Sequence, residues 1–196
     1  MRNFIISLMT IALAACAGMT PTVTRQEAYA IYDIKGVSSP AVGVSDAITH
    51  ALQKNMTGVR ISKEIPPSPL PTSPQRFFLN EMFKGNGFAA AAGVSFKVPN
   101  CPGSMLTTMA SNEAMAKYGE NTTFFVCLQP YAGGYWMTVY STFSKRTGAT
   151  TPAAIGVDLA RAFVGDSSQF ILRTVNDLLA AVKGTGGTVT LLKAYP

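Results

Sequence analysis

The sequence predicts an α+β fold: a curved, mostly antiparallel sheet with an N-terminal helix and a long C-terminal helix packed on one face. Three observations lead to this prediction. Strand-like periodicity changes early to helical periodicity, alternating and aromatic runs fill the middle of the chain, and an amphipathic stripe lies near its end. Hydrophobic residues make up 47% of the chain, which is enough for a substantial core and argues against disorder.

The N-terminal part of this fold is predicted to run strand, helix, strand. Residues 27–35 are rich in tyrosine and isoleucine and loosely alternate, which indicates a strand. Ser45 can cap a following amphipathic helix of about ten to twelve residues. The apolar stripe of that helix consists of Ala47, Ile48, Ala51, Leu52 and Met56. Val59, Ile61 and Ile65 then alternate with Arg60 and Glu64, so a second strand is expected.

A proline-rich segment follows, in which five of the nine residues in 66–74 are proline. Proline has no backbone donor for a central ladder, so the segment is predicted to run extended over the surface as a stiff connector. Recognition by an aromatic-lined groove is the alternative use of such a stretch.

The most regular alternation in the chain covers residues 88–98, where apolar even positions predict an inward face and small residues occupy the other face. Residues 102–120 are more polar and carry three methionines. They are predicted to form an excursion from the sheet with a helical turn over residues 112–117.

Two aromatic and β-branched runs, residues 122–129 and 135–143, are joined by the glycine-containing segment 130–134 and predict a hairpin. Four aromatic side chains crowd this hairpin and form a candidate binding surface: Tyr131, Tyr135, Trp136 and Tyr140. They could stack on sugars of an envelope polymer or contact another protein. A cross-strand core cluster is the alternative, and it is the preferred one.

The C-terminal part is predicted to be helical, either as two helices or as one helix broken near Gly165. Thr151-Pro152 can begin the first stretch, whose apolar stripe runs from Ile155 to Phe163. A second stripe covers residues 170–182 and is ended by Gly184. Residues 188–192 then form a last strand. A long helix lying in the curl of the sheet is one way to draw this arrangement.

Two of the three cysteines, Cys101 and Cys127, form an even pair that an oxidising compartment would allow to bond. Closing a loop of about 26 residues would stabilise the fold by roughly 3 kcal/mol. Two free buried thiols, or a metal pair, are the alternatives. The second is poorly supported because His50 is the only histidine.

Catalytic motifs are scarce. Asp46 and His50 are four residues apart on a predicted helix, but an ion pair on a solvated face explains that spacing and no G-x-S-x-G motif accompanies it. No carboxylate pair, metal cluster or phosphate loop can be recognised, so no cofactor and no metal are expected. The chain has a net charge of +6 but no dense basic run, which argues against nucleic acid and allows contact with anionic surfaces.

The start of the chain has the features of an export signal: Arg2 precedes an apolar run over residues 4–15. This run is shorter than the ~20 residues of a spanning helix. The tetrapeptide Leu13-Ala14-Ala15-Cys16 resembles the lipobox of bacterial lipoproteins. The resemblance implies a diacylglycerol on the Cys16 sulfur, cleavage just before Cys16, and acylation of the new amino group by a chain such as palmitate. An ordinary signal peptide with a nearby cysteine is the alternative.

The resemblance covers only residues 1–16, and no family is recognised for the rest. It implies a signal peptide over 1–15, followed by a flexible tether over 16–25 and a single domain over 26–196. Lipoproteins retained at the inner membrane tend to carry aspartate after the lipidated cysteine, and this chain has Ala17 there. The periplasmic face of an outer membrane is therefore the expected location.

These observations favour a lipid-anchored envelope protein that acts as a non-enzymatic accessory or scaffold subunit and binds another envelope protein. A binding module for an anionic or glycan ligand of the envelope is the alternative, and an enzyme comes third. A large apolar cavity under the long helix would favour ligand binding, whereas a flat exposed apolar patch would favour a protein partner.

Overall fold

The computed structural model describes residues 22–82, 96–112, 120–147 and 167–195 of the chain. Ten elements follow one another within these residues: β1 (Thr22–Lys35), α1 (Ala41–Asn55), β2 (Gly58–Lys63), β3 (Phe78–Met82), β4 (Phe96–Asn100), β5 (Leu106–Asn112), β6 (Glu120–Tyr131), β7 (Gly134–Thr147), α2 (Ser167–Gly184) and β8 (Thr188–Tyr195). Several predictions lie outside the described residues: the signal peptide with Cys16, most of the alternating run, and the helical stretch that begins at Thr151.

The predicted fold class is confirmed. Six strands form one antiparallel sheet in the order β2-β5-β6-β7-β1-β8, and both α1 and α2 pack on the same face of it. Within the part of the chain that the structure describes, this sheet is open, with β2 at one edge and β8 at the other. β3 and β4 form a separate two-stranded ladder.

The core lies between the sheet and the two helices. Successive side chains of a strand point to opposite faces, and on β6 the even-numbered Phe124, Val126 and Leu128 are fully buried in the helix-side cluster. Ile48 and Leu52 of α1, with Leu178 and Val182 of α2, cover them from the helix side. The amphipathic stripes predicted for both helices thus supply the other half of the core.

The start of the first helix differs from the prediction. α1 begins at Ala41, directly after Pro40, and Ser45 lies inside it. The Ser45 hydroxyl does not cap the helix but donates to the Ala41 carbonyl at 3.2 Å, and Thr49 donates to the Ser45 carbonyl at 2.9 Å. Hydroxyl side chains inside a helix satisfy themselves in this way when they are buried. The prediction placed the helix start about one turn too late, because it took Ser45, which lies inside the helix, for the capping residue.

The second strand is only partly inward-facing. Val59 packs against the core, but Ile61 is 42% exposed, and Ile65 is 96% exposed and lies beyond the end of β2. Ile61 stands opposite the buried Thr108, so it is on the helix-side face, at an edge strand that the helices cover only in part. The predicted strand is thus present, but Ile65 lies outside it and Val59 is the alternating residue that packs against the core.

Two further boundaries are corrected. β1 starts at Thr22, so residues 22–25 belong to a strand paired with β7 and not to the predicted tether. The predicted excursion over 102–120 contains β5, in which Leu106, Thr108 and Ala110 are buried in alternation. Threonine and alanine at inward positions made this strand look polar in the sequence.

The predicted hairpin is β6 and β7, with a turn shorter than expected because both strands extend to Tyr131 and Gly134. Gly134 has φ +148°, and a Cβ there would lie 2.1 Å from the Ile34 carbonyl oxygen. Only glycine therefore allows β1 to approach the start of β7 so closely.

Candidate functional site

The site with the clearest binding geometry is a cavity of about 250 Å³ on the sheet face that points away from α1 and α2. We call it the sheet pocket. Its floor is formed by side chains of β5, β6, β7 and β1, and part of its wall by β4. The lining residues are Arg25, Glu27, Lys97, Val98, Pro99, Met109, Asn121, Thr123, Phe125, Tyr140, Thr142 and Ser144.

Strand alternation places these floor residues. Phe125 follows the buried Phe124 by one position and therefore points to the opposite face. The register aligns Phe125 with Tyr140 and Thr123 with Thr142 across β6 and β7. The same register aligns Thr142 with Glu27 across β7 and β1, so the floor is a continuous patch of three neighbouring strands.

A hydrogen-bonded cluster of Glu27, Lys97 and Tyr140 lines one side of the pocket. The Lys97 ammonium of β4 donates to Glu27 Oε1, and the Tyr140 hydroxyl donates to Glu27 Oε2 at 2.7 Å. Tyr140 is almost fully buried, whereas Glu27 and Lys97 are each about one-third exposed. The Glu27 carboxylate of β1 thus accepts hydrogen bonds both from β7 of the sheet and from β4 of the separate ladder.

The hydrogen bonds of this cluster shift the pKa values of its members so that Glu27 and Lys97 keep their charges. The hydrogen bond from Lys97 lowers the pKa of Glu27, and the same bond raises the pKa of Lys97. Burial, followed by the hydrogen bond to Glu27, raises the pKa of Tyr140 well above its ordinary value. At neutral pH the carboxylate stays ionised and the phenol stays protonated.

The four aromatic residues singled out in the sequence do not form one surface. Tyr140 lines the sheet pocket, while Tyr135 packs against the core on the helix side. Tyr131 lies at the hairpin end and donates to Asp33 Oδ1 at 2.8 Å. Burial and this bond raise the pKa of Tyr131 to about 12. Trp136 is half-buried opposite Asp33.

The proline-rich segment is fastened to the same side of the sheet. Gln129 is only 1% exposed, and its Nε2 donates to the Gln75 carbonyl at 2.9 Å and to the Pro102 carbonyl at 2.8 Å. The Ala132 amide donates to the Pro71 carbonyl at 2.9 Å. The segment is irregular and mostly exposed, as predicted for a connector, but it is tied to the end of the hairpin.

The two cysteines form a disulfide with their Cα atoms 6.4 Å apart. Cys101 follows β4, and Cys127 lies on β6 among the residues that face away from the helices. The bond therefore fixes the end of the two-stranded ladder against the pocket side of the sheet. Aromatic contacts add to this attachment: the Phe77 ring, just before β3, lies 5.1 Å from the Tyr29 ring of β1.

The Asp46 and His50 pair does not assemble a catalytic site. His50 is exposed, and Asp46 accepts a hydrogen bond from Lys63 Nζ at 2.8 Å. Over the described ranges, no group of three or more histidine, cysteine or acidic side chains could hold a metal ion. Neither α1 nor α2 is long and apolar enough to cross a membrane, and no other described residues form such a helix.

Most pocket residues were missed by the sequence analysis. Glu27 and Phe125 lie inside predicted strands and Lys97 inside the predicted alternating run, but nothing local distinguishes them from residues of an ordinary solvated face. A usable signal was the alternating run Asn121, Thr123, Phe125, which carries no charge although it lies on the sheet face opposite to the buried Phe124.

No family model and no curated protein sequence matches this chain. Among solved structures, the di-domain ARO/CYC StfQ from the steffimycin biosynthetic pathway is similar at 15% identity, with a TM-score of 0.31, over 84% of this chain and 52% of that one. Ara h 8.0201 is similar at 14% identity, with a TM-score of 0.24, over 82% of this chain and 99% of that one. Similarity at these TM-scores does not indicate a function for this chain. The geometry of the sheet pocket is the basis for the function proposed below.

Proposed function

We propose that this chain is a lipid-anchored protein of a bacterial cell envelope that binds a small amphipathic ligand in the sheet pocket. The pocket itself is the observation that carries binding. It joins apolar side chains such as Phe125 and Met109 with a few polar groups and one charged cluster, a combination typical of small-molecule sites. Because of this pocket, we favour the binding module over the scaffold subunit, which the sequence analysis ranks first.

The electrostatics favour binding over catalysis. A general base near neutral pH needs a raised carboxyl pKa, and a general acid needs a lowered phenol pKa. Glu27 and Tyr140 are shifted in the opposite directions. They form a fixed polar group for orienting a ligand, and the described lining includes no histidine or cysteine.

The membrane anchor rests on the lipobox resemblance at Cys16. Metabolic labelling with an alkyne-tagged palmitate should mark the wild-type protein but not Cys16→Ala. The matched control is the double variant Cys101→Ala and Cys127→Ala, which should keep the label because those residues lie outside the lipobox. Labelling of Cys16→Ala equal to wild type would contradict the anchor.

Ligand binding is tested by filling the pocket. Thr142→Trp places a large ring on the pocket floor, whereas Thr190→Trp makes the same change at an exposed position of β8. Both proteins and the wild type are purified from native membranes, and native mass spectrometry measures what each retains non-covalently. A bound mass present in wild type and in Thr190→Trp, and absent from Thr142→Trp, supports the proposal. Identical spectra for all three proteins contradict it.

A scaffold role is the second candidate, and the edge strand β8 favours it. Leu191 and Leu192 are each about half exposed, and β8 has a hydrogen-bonded neighbour on one side alone among the described strands. Open edges can accept a further strand. A photo-crosslinker at Leu192 should capture one defined protein in stoichiometric yield, while the same group at the exposed Gln53 of α1 should not.

A further inference from the structure

The floor of the sheet pocket changes from apolar to polar along the strands. One row across the sheet contains Met109, Phe125 and Tyr140, which are in register on β5, β6 and β7. Two residues further along, the next row contains Thr123, Thr142 and Glu27. The last row contains Asn121, Ser144 and Arg25. Neighbouring rows are about 7 Å apart, because a strand rises ~3.4 Å per residue.

The polar end of this gradient is the end nearest the start of β1. Arg25 is three residues after Thr22, the first residue of β1, while the apolar row lies further into the strand. Five residues lie between Cys16 and Thr22, and the six residue-to-residue steps span at most about 20 Å even when fully extended. A lipid on Cys16 would therefore hold the polar end of the pocket close to the membrane surface.

The charge at that end is positive. Arg25 is the one charged side chain of the last row among the lining residues, and its positive charge also acts on Glu27 in the next row. Lys97 lies further along, where it donates a hydrogen bond to Glu27. A guanidinium binds carboxylate and phosphate groups with two parallel hydrogen bonds. Asn121, Ser144 and Thr142 add donors that can satisfy the remaining oxygens of such a group.

We propose that the sheet pocket takes an anionic amphiphile drawn from the membrane that holds the anchor, with its phosphate-type head at the Arg25 row and the first part of its chain on Phe125 and Met109. This inference rests on the proposed function and specifies its ligand. A volume of about 250 Å³ is below the range of ~300–1,000 Å³ typical of pockets that enclose a whole ligand. The pocket therefore takes the head and the adjoining part of one chain.

The test compares four soluble probes on the lipidated protein in phosphatidylcholine nanodiscs: n-hexyl phosphate, n-butyl phosphate, n-hexyl glucoside and inorganic phosphate. Calorimetric titrations are run on wild type, on Thr142→Trp and on Arg25→Gln. Subtracting the Thr142→Trp signal removes partitioning of the probes into the nanodisc. Thr190→Trp is the matched control and should bind like wild type.

The expected result is saturable binding of hexyl phosphate that Thr142→Trp abolishes and Arg25→Gln weakens at least about tenfold, the effect of losing one charge-assisted contact. Affinity should rise by about fourfold for each methylene buried between butyl and hexyl phosphate. Nanodiscs doped with phosphatidylglycerol should yield that lipid bound to wild type, but not to Thr142→Trp, in native mass spectrometry.

The contrary results separate the two proposals. Hexyl glucoside binding as tightly as hexyl phosphate, with Arg25→Gln unchanged, would keep the pocket as a binding site and overturn the anionic head. Inorganic phosphate binding as tightly as hexyl phosphate would overturn the amphiphile and leave a free-anion site. Absence of any saturable binding, together with absence of retained ligand from native membranes, would overturn the proposed function as well.

Discussion

The two faces of the six-stranded sheet are built from the same strands but have different chemistry. Phe124 and Phe125 are neighbours on β6, yet Phe124 is fully buried under the helices while Phe125 forms part of the pocket floor. The helix-side face is mainly apolar, with a few buried polar residues such as Thr108 and Thr122. The pocket face carries more hydroxyl, amide and charged groups, and among the described residues β4 covers part of it. The large apolar side chains that are fully buried are therefore concentrated on the helix side.

The largest effect should separate these two faces directly. Phe124→Ala should lower the free energy of unfolding by about 3–5 kcal/mol, because it leaves a cavity in a closed core. Phe125→Ala should lower it by about 1–2 kcal/mol, because its side chain is half-buried over an existing cavity. Urea denaturation of both variants measures the difference. Equal losses would mean that the pocket face also carries core packing.

The disulfide should matter mainly to the pocket side. Replacing Cys101 and Cys127 by serine should cost roughly 3 kcal/mol, because it releases a loop of 26 residues in the unfolded chain. Thermal or urea unfolding gives the loss. The substitution should accelerate amide hydrogen exchange more in β3 and β4 than in α1, because the disulfide holds that ladder to the sheet. Uniform acceleration would contradict this local role.

Gln129 tests the polar attachment on the same side. Gln129→Leu should cost about 1–3 kcal/mol, because the carbonyls of Gln75 and Pro102 lose their donor. Gln129→Glu should cost more at pH 7, because it buries a charge beside two acceptors. Urea midpoints of the two variants give the order. The opposite order would show that the amide hydrogens are not what this position needs.

The smallest effect concerns the Glu27 cluster and depends on pH. Its folded-state pKa is lowered from 4.5, so the carboxylate stabilises the fold above that pH and the contribution is lost as the pH falls through the folded value. The raised pKa of Lys97 adds a contribution that is lost only when the pH rises above 10.5. Glu27→Gln should therefore cost under about 1 kcal/mol at pH 7, since solvent screens the pair.

The same difference should shrink towards zero in acid, where the wild-type carboxyl is protonated. Urea midpoints at pH 7 and pH 3 measure it. Asp46→Asn is the matched control, because Asp46 pairs with Lys63 on the helix side and both side chains are about half exposed. A pH-independent effect of Glu27→Gln would mean that the charge of Glu27 is not what stabilises the fold at this position.

Much of the fold could be predicted from local patterns. The strands β1, β6, β7 and β8 and both helices appear in the sequence as periodic runs, because one side of each element is buried and the other is not. The strand β5 could not be predicted because its inward positions include Thr108 and Ala110, whose burial depends on the helices placed over them. β2 could be predicted as a strand but not as an edge strand, since nothing local marks a strand as an edge.

Little of the sheet pocket could be predicted. Glu27, Lys97 and Tyr140 are far apart in the chain, and only the register of β1 with β7 and the position of β4 bring them together. The aromatic residues of the hairpin are visible in the sequence, but strand alternation places Tyr135 and Tyr140 on opposite faces, so the four residues do not form one surface. Their separate environments follow from which face the helices cover.

The sequence by itself determined the periodic elements, the pairing of Cys101 with Cys127 as the even pair left over, and the expectation of a lipid anchor at Cys16. Each depends on residues close together in the chain or on a simple count. Only the tertiary structure decided the strand order, which sheet face α1 and α2 cover, and the pocket on the opposite face. These depend on contacts between residues tens of positions to more than a hundred positions apart, and short-range periodicity carries no information about such contacts.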